Sequence, residues 1–139
     1  MIELDNPYDI DVDLDLLNRV TKIYTDGVVE LLIVDNSDIA LLNKEHRGLD
    51  KPTDVLSFPL EPLPMFPLGS VVISYEKAKE VADKLGHSLD DEIKLLYIHG
   101  LLHLIGFDHE TDSGQMRDEE QKLILEFDLP KSLIVRNSP

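Results

Sequence analysis

The stretch IKLLYIHGLLHLIG, residues 93–106, constrains the fold more than any other part of the chain. It is apolar on nearly every face at helical spacing, which is typical of a helix buried in the middle of a domain. Ser88 and Asp91 form a capping-box pattern in front of it, and the acidic run 90–92 suits the positive end of the helix dipole. Gly106 is expected to end the helix with a sharp left-handed turn. The rest of the chain should therefore pack around this helix.

Helical and strand-like patterns alternate before it. Apolar spacing and capping residues predict helices at 13–24, 37–47 (Ser37 as N-cap, Gly48 as stop) and 74–86 (Ser74 as N-cap, Gly86 as stop). Runs rich in β-branched residues predict strands at 28–35, 54–58 and 70–74. The four prolines of segment 59–69 predict a loop. We interpret it as a stiff connection between two strands, with a functional lid carrying Met65 and Phe66 as the alternative.

The composition bounds the kind of protein. A chain of 139 residues with 42% hydrophobic content fits one domain, residues 1–139, with a substantial core. The acidic N-terminus lacks a basic leader and an apolar signal segment, and no apolar run is long enough to cross a bilayer. We therefore expect a soluble, cytoplasmic protein without a membrane partner. Because cysteine is absent, any metal must be held by His, Asp or Glu.

The net charge of −15 argues against binding nucleic acid through the overall electrostatic field. A local exception is the segment KEHRGLDK, which carries Lys44, His46, Arg47 and Lys51. It is either a basic spot on an acidic body or a solvated helix end, where cations meet the negative end of the dipole. His87, just after Gly86, is expected to be exposed.

Three of the five histidines fall in HGLLHLIGFDH, residues 99–109. His99 and His103, four residues apart on a helix, can both point at one atom, and a turn at Gly106 could bring His109 to the same atom. Two buried imidazoles each need a polar partner, and one metal ion satisfies both. Three protein ligands leave one position open for water, as in catalytic zinc sites. The pattern therefore favours a metal site over histidines that are merely buried.

The spacing is close to the zinc peptidase signature H-E-x-x-H-x-x-G-x-x-H, whose glutamate is the general base. Gly100 occupies that position here. The ligand set is present without its proton acceptor, which counts against peptide hydrolysis.

The segments HGLLHLIGFDH, RGLDKPTDVLSF (47–58) and LGSVVIS (68–74) together resemble the YbeY family, bacterial metal-dependent endoribonucleases of ribosomal RNA maturation. The resemblance spans residues from about 42 to 109. With the element patterns it implies an α+β fold in a single compact domain. That fold is a small mixed sheet of about four strands packed with about five helices, with a zincin-like metal site on the central buried helix.

The resemblance also implies residue roles. His99, His103 and His109 match the three metal ligands, with Zn²⁺ the usual ion, and Gly100 is the residue usual for the family. Arg47 matches the arginine that faces the metal and is needed for RNA cleavage, so the implied catalytic residues are Arg47 and His99. The segment 52–58 matches the strand lining the cleft, with Thr53, Asp54 and Ser57 as its lining residues. Ser70 departs from the aspartate usual at that position. For His46, a solvated position at the helix end is the preferred interpretation, and contact with RNA at the cleft edge is the alternative.

The implied reaction is metal-assisted cleavage of single-stranded ribosomal RNA in 3′-end maturation of 16S rRNA, ribosome biogenesis and ribosome quality control. Asp108 and Glu110 flank the last ligand and are candidates either for proton transfer or for orienting a histidine, the latter preferred for Asp108. Two alternatives remain: a metal hydrolase of another substrate class, and a non-catalytic ribosome-assembly factor with a structural zinc site. Implied partners are small-subunit ribosomal proteins and an assembly GTPase; DNA is not expected.

Overall fold

The computed structural model describes residues 1–59, 68–108 and 111–129, and these form a four-stranded mixed sheet packed with five helices. The predicted α+β class is therefore confirmed. The elements follow in the order β1 (Ile2–Asp5), α1 (Leu14–Tyr24), β2 (Val29–Val34), α2 (Asn36–Arg47), β3 (Val55–Pro59), β4 (Gly69–Ser74), α3 (Tyr75–Leu85), α4 (Leu89–Leu104) and α5 (Gln115–Glu126).

The sheet has the strand order β1-β2-β4-β3. Strands β1, β2 and β4 are parallel, whereas β3 runs antiparallel to β4 with Ser57 opposite Val71. Among the described strands β3 therefore lies at an edge, with one side paired to β4 and the other open. This open side forms one wall of the site described below.

Helix α4 packs against one face of the sheet and is the centre of the larger core, as the sequence predicts. Its apolar residues from Ile93 to Leu104 join the buried side chains of the strands, including Leu31, Val71 and Ile73. Removal of this apolar surface from water is the main term that stabilises the fold. A smaller core on the other face is formed by Ile39, Leu56 and Val72. Because Ile39 belongs to α2, this smaller core fixes that helix against the sheet.

Most of the predicted helix ends are confirmed. The side chains of Ser74 and Ser88 accept hydrogen bonds from the backbone N–H groups of Lys77 and Asp91. Gly48, Gly86 and Gly106 have positive φ angles of 70°, 80° and 109°, where side chains with a Cβ are strained. The predicted N-cap of α2 is wrong. Asp35, not Ser37, accepts the hydrogen bond from the N–H of Asp38, so the N-cap lies two residues earlier than predicted.

Two elements have weak signals in the sequence. Strand β1 has only four residues, so its alternation of apolar and polar residues is too short to predict a strand. Helix α5 buries Met116, Glu120, Leu123 and Ile124 at helical spacing, but the glutamate interrupts the apolar pattern. Both were missed because each presents too few apolar residues at the expected period.

The two end residues of the predicted proline-rich loop, 59 and 69, belong to strands. Pro59 is the last residue of β3 and Gly69 is the first of β4, so both belong to the sheet. Edge strands tolerate proline because one side of the strand has no partner for a backbone N–H. Residues 60–67, including Met65 and Phe66, lie outside the described residues. In the described part of the chain, no helix combines the length and apolar composition needed to cross a membrane.

Candidate functional site

An open cleft of about 850 Å³ lies where the end of α2, the open edge of β3 and the second half of α4 meet. The cleft contains most of the residues singled out by the sequence: Arg47, Thr53, Asp54, Ser57, His99, His103 and Asp108. The other residues of its lining are His46, Val55, Leu56, Phe58 and Pro59. Positions far apart in the chain are thus brought together in one cavity.

The edge of β3 forms a continuous wall of this cleft. All residues from 53 to 59 line it, although alternate side chains of a strand point to opposite faces. The N–H of Ser74 donates to the carbonyl of Asp54 at 3.0 Å, which makes these two residues a hydrogen-bonded antiparallel pair. Alternation along the ladder then turns the backbone groups of Val55 and Ser57 away from β4. The wall therefore offers backbone donors and acceptors to a bound molecule.

The two helical histidines are arranged as a pair of ligands would be. Their Nε2 atoms lie 3.2 Å apart, and their rings meet nearly at right angles, at 76°. Two nitrogens bound to one tetrahedral zinc at ~2.0–2.1 Å would be separated by ~3.3 Å. The donor pair on α4 therefore fits a shared metal ion in both chemistry and spacing. His99 is about 30% exposed, so the pair opens onto the cleft.

A buried carboxylate supports one of these histidines. Glu120 of α5 is 1% exposed, and its Oε1 lies 2.6 Å from Nδ1 of His99. With the carboxylate as acceptor, Nδ1–H is the donor and Nε2 keeps its lone pair for a ligand. Sequence reasoning missed Glu120. The available signal was a glutamate at an apolar position of a helical pattern, which is costly to bury without a partner.

The turn after α4 carries the chain back toward the cleft. Gly106 adopts its positive φ after the helix ends at Leu104, and Asp108 then lies on the cleft wall. His109 and Glu110 lie outside the described residues, so the third ligand and the second proton-transfer candidate stay predictions. Among the described residues alone, no group of three or more His, Cys, Asp or Glu is placed to hold a metal.

Close packing explains why residue 100 is a glycine, which the sequence alone could not show. Its carbonyl accepts a hydrogen bond from Ser57 Oγ at 3.0 Å, which brings α4 close to β3. A Cβ at position 100 would lie 2.7 Å from Cγ1 of Val71 and 3.0 Å from Ser57 Oγ. Residue 100 therefore faces the sheet at a distance that excludes a glutamate side chain. The missing general base is explained by close packing of this helix.

Two neighbouring residues at the end of α2 face the cleft. Arg47 is exposed in the last turn of the helix, directly before the left-handed Gly48. His46 is also exposed, and its ring centroid lies 4.5 Å from that of Phe58 on β3. The basic segment of the sequence therefore contributes the guanidinium of Arg47 and the imidazole of His46 to the cleft, so these two residues are not only a solvated helix end. Lys44, in contrast, lies 3.9 Å from Asp50 and is not part of the lining.

The remaining residues singled out by the sequence lie elsewhere. Ser70 is on β4, with its Oγ 3.4 Å from Glu30 on β2. The expectation for His87 was wrong, because its side chain is only 3% exposed. Its Nε2 lies 2.6 Å from Oε1 of Glu92, a buried carboxylate on α4. This buried pair holds the short connection between α3 and α4 against α4.

Comparison with known proteins identifies the family. The family model described as Endoribonuclease YbeY matches residues 10–128. The chain belongs to the YbeY family. A YbeY endoribonuclease of Nautilia profundicola is 53% identical over 99% of this chain and 99% of its own length. That of Helicobacter pylori is 50% identical over 98% of this chain and 97% of its own length.

The YbeY fold is also found in a solved structure. The solution structure of a Thermotoga maritima protein superposes with a TM-score of 0.61 at 27% identity, covering 91% of this chain and 89% of the other. The family resemblance seen in the sequence is thereby confirmed, since relatives of about half-identical sequence align over nearly the whole chain.

Proposed function

We propose that this chain is a single-strand-specific, zinc-dependent endoribonuclease that acts in 3′-end maturation of 16S ribosomal RNA, ribosome biogenesis and ribosome quality control. The observation that carries the proposal is the pair of Nε2 atoms of His99 and His103, 3.2 Å apart in the cleft that Arg47 also lines. Paired nitrogen donors beside a guanidinium suit the cleavage of a phosphodiester. Membership of a family of endoribonucleases supplies the substrate class.

The metal site would consist of His99, His103 and His109. All three ligands are neutral imidazoles, so the bound ion would keep its full positive charge. Zinc held by these residues would lower the pKa of a bound water and polarise a phosphoryl oxygen. Glu120 would hold the ring of His99 in the orientation that presents Nε2 to the ion.

Arg47 would bind the reacting phosphate. A guanidinium donates several hydrogen bonds in one plane, which matches phosphate oxygens better than an ammonium does. Its position in the last turn of α2, fixed by Gly48, places it on the cleft wall with the histidines. It would therefore stabilise the negative charge that develops on the phosphate during cleavage.

The remaining cleft residues have simpler roles in this proposal. The outward backbone groups of Val55 and Ser57 would bind sugar and phosphate oxygens of the RNA. Asp108 and Glu110 would either transfer a proton or orient a ligand, and Asp108 is assigned the orienting role. Asp54 and Thr53, whose side-chain oxygens lie 3.5 Å apart, line the same wall.

The acidic character of the chain limits how RNA can be held. With a net charge of −15, attraction of the phosphate backbone must come from the metal and from Arg47. The acidic surface elsewhere suits basic ribosomal proteins of the small subunit, and an assembly GTPase is a further proposed partner. With these partners the protein would act in the cytoplasm.

RNA cleavage by the purified protein tests the proposal. A single-stranded fragment from the 3′ end of 16S ribosomal RNA is incubated with the protein, with a chelator, and with chelator followed by excess zinc. We expect cleavage that chelation abolishes and zinc restores. The variants His103→Ala and Arg47→Ala should lose it, whereas Lys44→Ala, which removes a cation outside the cleft, should retain it.

The same assay separates the alternatives. Cleavage of equal strength in both variants would indicate a contaminating nuclease and overturn the proposal. A folded, zinc-bound protein that leaves the RNA intact would favour the assembly factor with a structural zinc. Hydrolysis of a peptide or ester panel in place of RNA would favour the other hydrolase class, which Gly100 argues against.

A further inference from the structure

The aromatic pair of His46 and Phe58 stands at the cleft without a part in the proposed chemistry. His46 comes from the last turn of α2 and Phe58 from the edge strand β3, with ring centroids 4.5 Å apart and planes tilted by 45°. Both line the cleft, and His46 is the residue directly before Arg47. The pair is therefore placed next to the group that would hold the reacting phosphate.

Packing in the core explains the presence of one of these two rings but not of the other. Phe58 is half-buried and packs against the small core of Ile39, Leu56 and Val72, so burial accounts for its presence. His46 is exposed and contributes little to that core. The exposed ring of His46 thus contacts a half-buried ring on one side and lines the cleft. That is the arrangement of a stacking platform.

We propose that His46, backed by Phe58, binds an unpaired nucleobase of the RNA adjacent to the phosphate held by Arg47. This inference rests on the proposed function and adds to it a base-binding subsite. The two rings are already in contact, so no third ring fits between them. The base stacks on the outer face of His46.

The charge of the chain favours this mode of binding. An acidic protein gains little from general attraction to the phosphate backbone, whereas stacking of a base on an aromatic ring does not depend on that attraction. A base inside a duplex is already stacked on both faces and cannot reach the ring. The subsite therefore selects single-stranded RNA, and it does so without reading base identity, because every base has a π-face.

A fluorescent base tests the subsite. In a set of cleavable single-stranded RNAs, 2-aminopurine replaces one base at a time, and its quenching is recorded after rapid mixing with the zinc-loaded protein, before cleavage. We expect strong quenching at one position next to the cleavage site. His46→Ala should abolish that quenching and raise KM about tenfold, while kcat changes little, because the base is held equally in ground and transition states.

Matched variants separate stacking from charge and from folding. His46→Phe keeps a ring without a titratable group and should retain both the quenching and the KM. Lys44→Ala removes a neighbouring cation on the same helix and should behave as the parent does. Thermal unfolding checks that each variant is folded, which the exposure of His46 leads us to expect.

Three results would overturn the inference while leaving the proposed function intact: an active parent with no position-dependent quenching, His46→Ala with parental KM, or His46→Phe as weak as His46→Ala. A parent protein that neither binds nor cleaves RNA would overturn the proposed function, and the subsite with it.

Discussion

Nδ1 of His99 lies 2.6 Å from Oε1 of Glu120, a carboxylate that α5 buries beneath the cleft. The contact joins the last described helix to the central helix α4. It orients the ring so that Nε2 faces Nε2 of His103. Glu120, which lies outside the histidine motif, therefore determines that His99 would present Nε2 to a metal ion.

Glu120→Gln is expected to weaken zinc binding by about tenfold, because the neutral amide forms a weaker hydrogen bond with Nδ1 and holds the His99 ring less firmly. Competition with a chromophoric chelator measures the affinity. Asp118→Asn, an exposed change on the same helix, is the control and should have no effect. Unchanged zinc affinity in a folded Glu120→Gln protein would show that the carboxylate does not support the site.

Gly100→Ala is expected to destabilise the protein by roughly 1–2 kcal/mol. The contact of the new Cβ with Val71 outweighs the gain of about 0.5–1 kcal/mol in helix propensity. Val71 is fully buried and β-branched, so it cannot move aside easily. Urea unfolding of a double-mutant cycle with Val71→Ala provides the check. The penalty of Gly100→Ala should shrink in the Val71→Ala background, and an unchanged penalty would contradict the packing explanation.

Arg47→Lys is expected to lower RNA cleavage by about 100-fold, nearly as much as Arg47→Ala, since a lysine lacks the planar pair of donors for phosphate. Both variants should fold normally because residue 47 is exposed at a helix end. Initial rates at saturating RNA, with circular dichroism of each variant, measure the two properties separately. Full activity of Arg47→Lys would reduce the role of Arg47 to that of a simple positive charge.

Ionisation of Tyr24 is expected to lower the free energy of unfolding at alkaline pH. Burial raises the pKa of this phenol above its usual value of 10.0, and the hydrogen bond to Glu119 raises it further. The protonated phenol thus stabilises the fold fully below about pH 10, and this contribution is lost as the pH rises from there toward the folded pKa. Because Tyr24 is only half-buried, the loss should be about 1 kcal/mol by about pH 11.

Urea unfolding of the parent and of Tyr24→Phe at about pH 8 and about pH 11 tests this dependence. The free energy of unfolding of Tyr24→Phe should fall less between the two pH values than that of the parent. Equal falls would assign the alkaline loss of stability to other groups.

The sequence alone determined the parts of this protein that depend on local patterns. Periodicity and capping residues predicted α1, α3 and α4, and the left-handed glycines at 48, 86 and 106 ended helices and turns as expected. The spacing of His99 and His103 follows from helix geometry, so their proximity was also predictable. Family membership was recognisable because its motifs are contiguous stretches.

Only the tertiary structure decided what lies beside these residues. The pairing of Glu120 with His99, the burial of His87 against Glu92 and the contact of His46 with Phe58 each join segments that local patterns treat separately. The role of Gly100 depends on how closely α4 approaches Val71, a distance set by packing of the whole core. Sequence patterns report which face of an element is buried. The partner that a buried polar group finds there is fixed only when the elements pack.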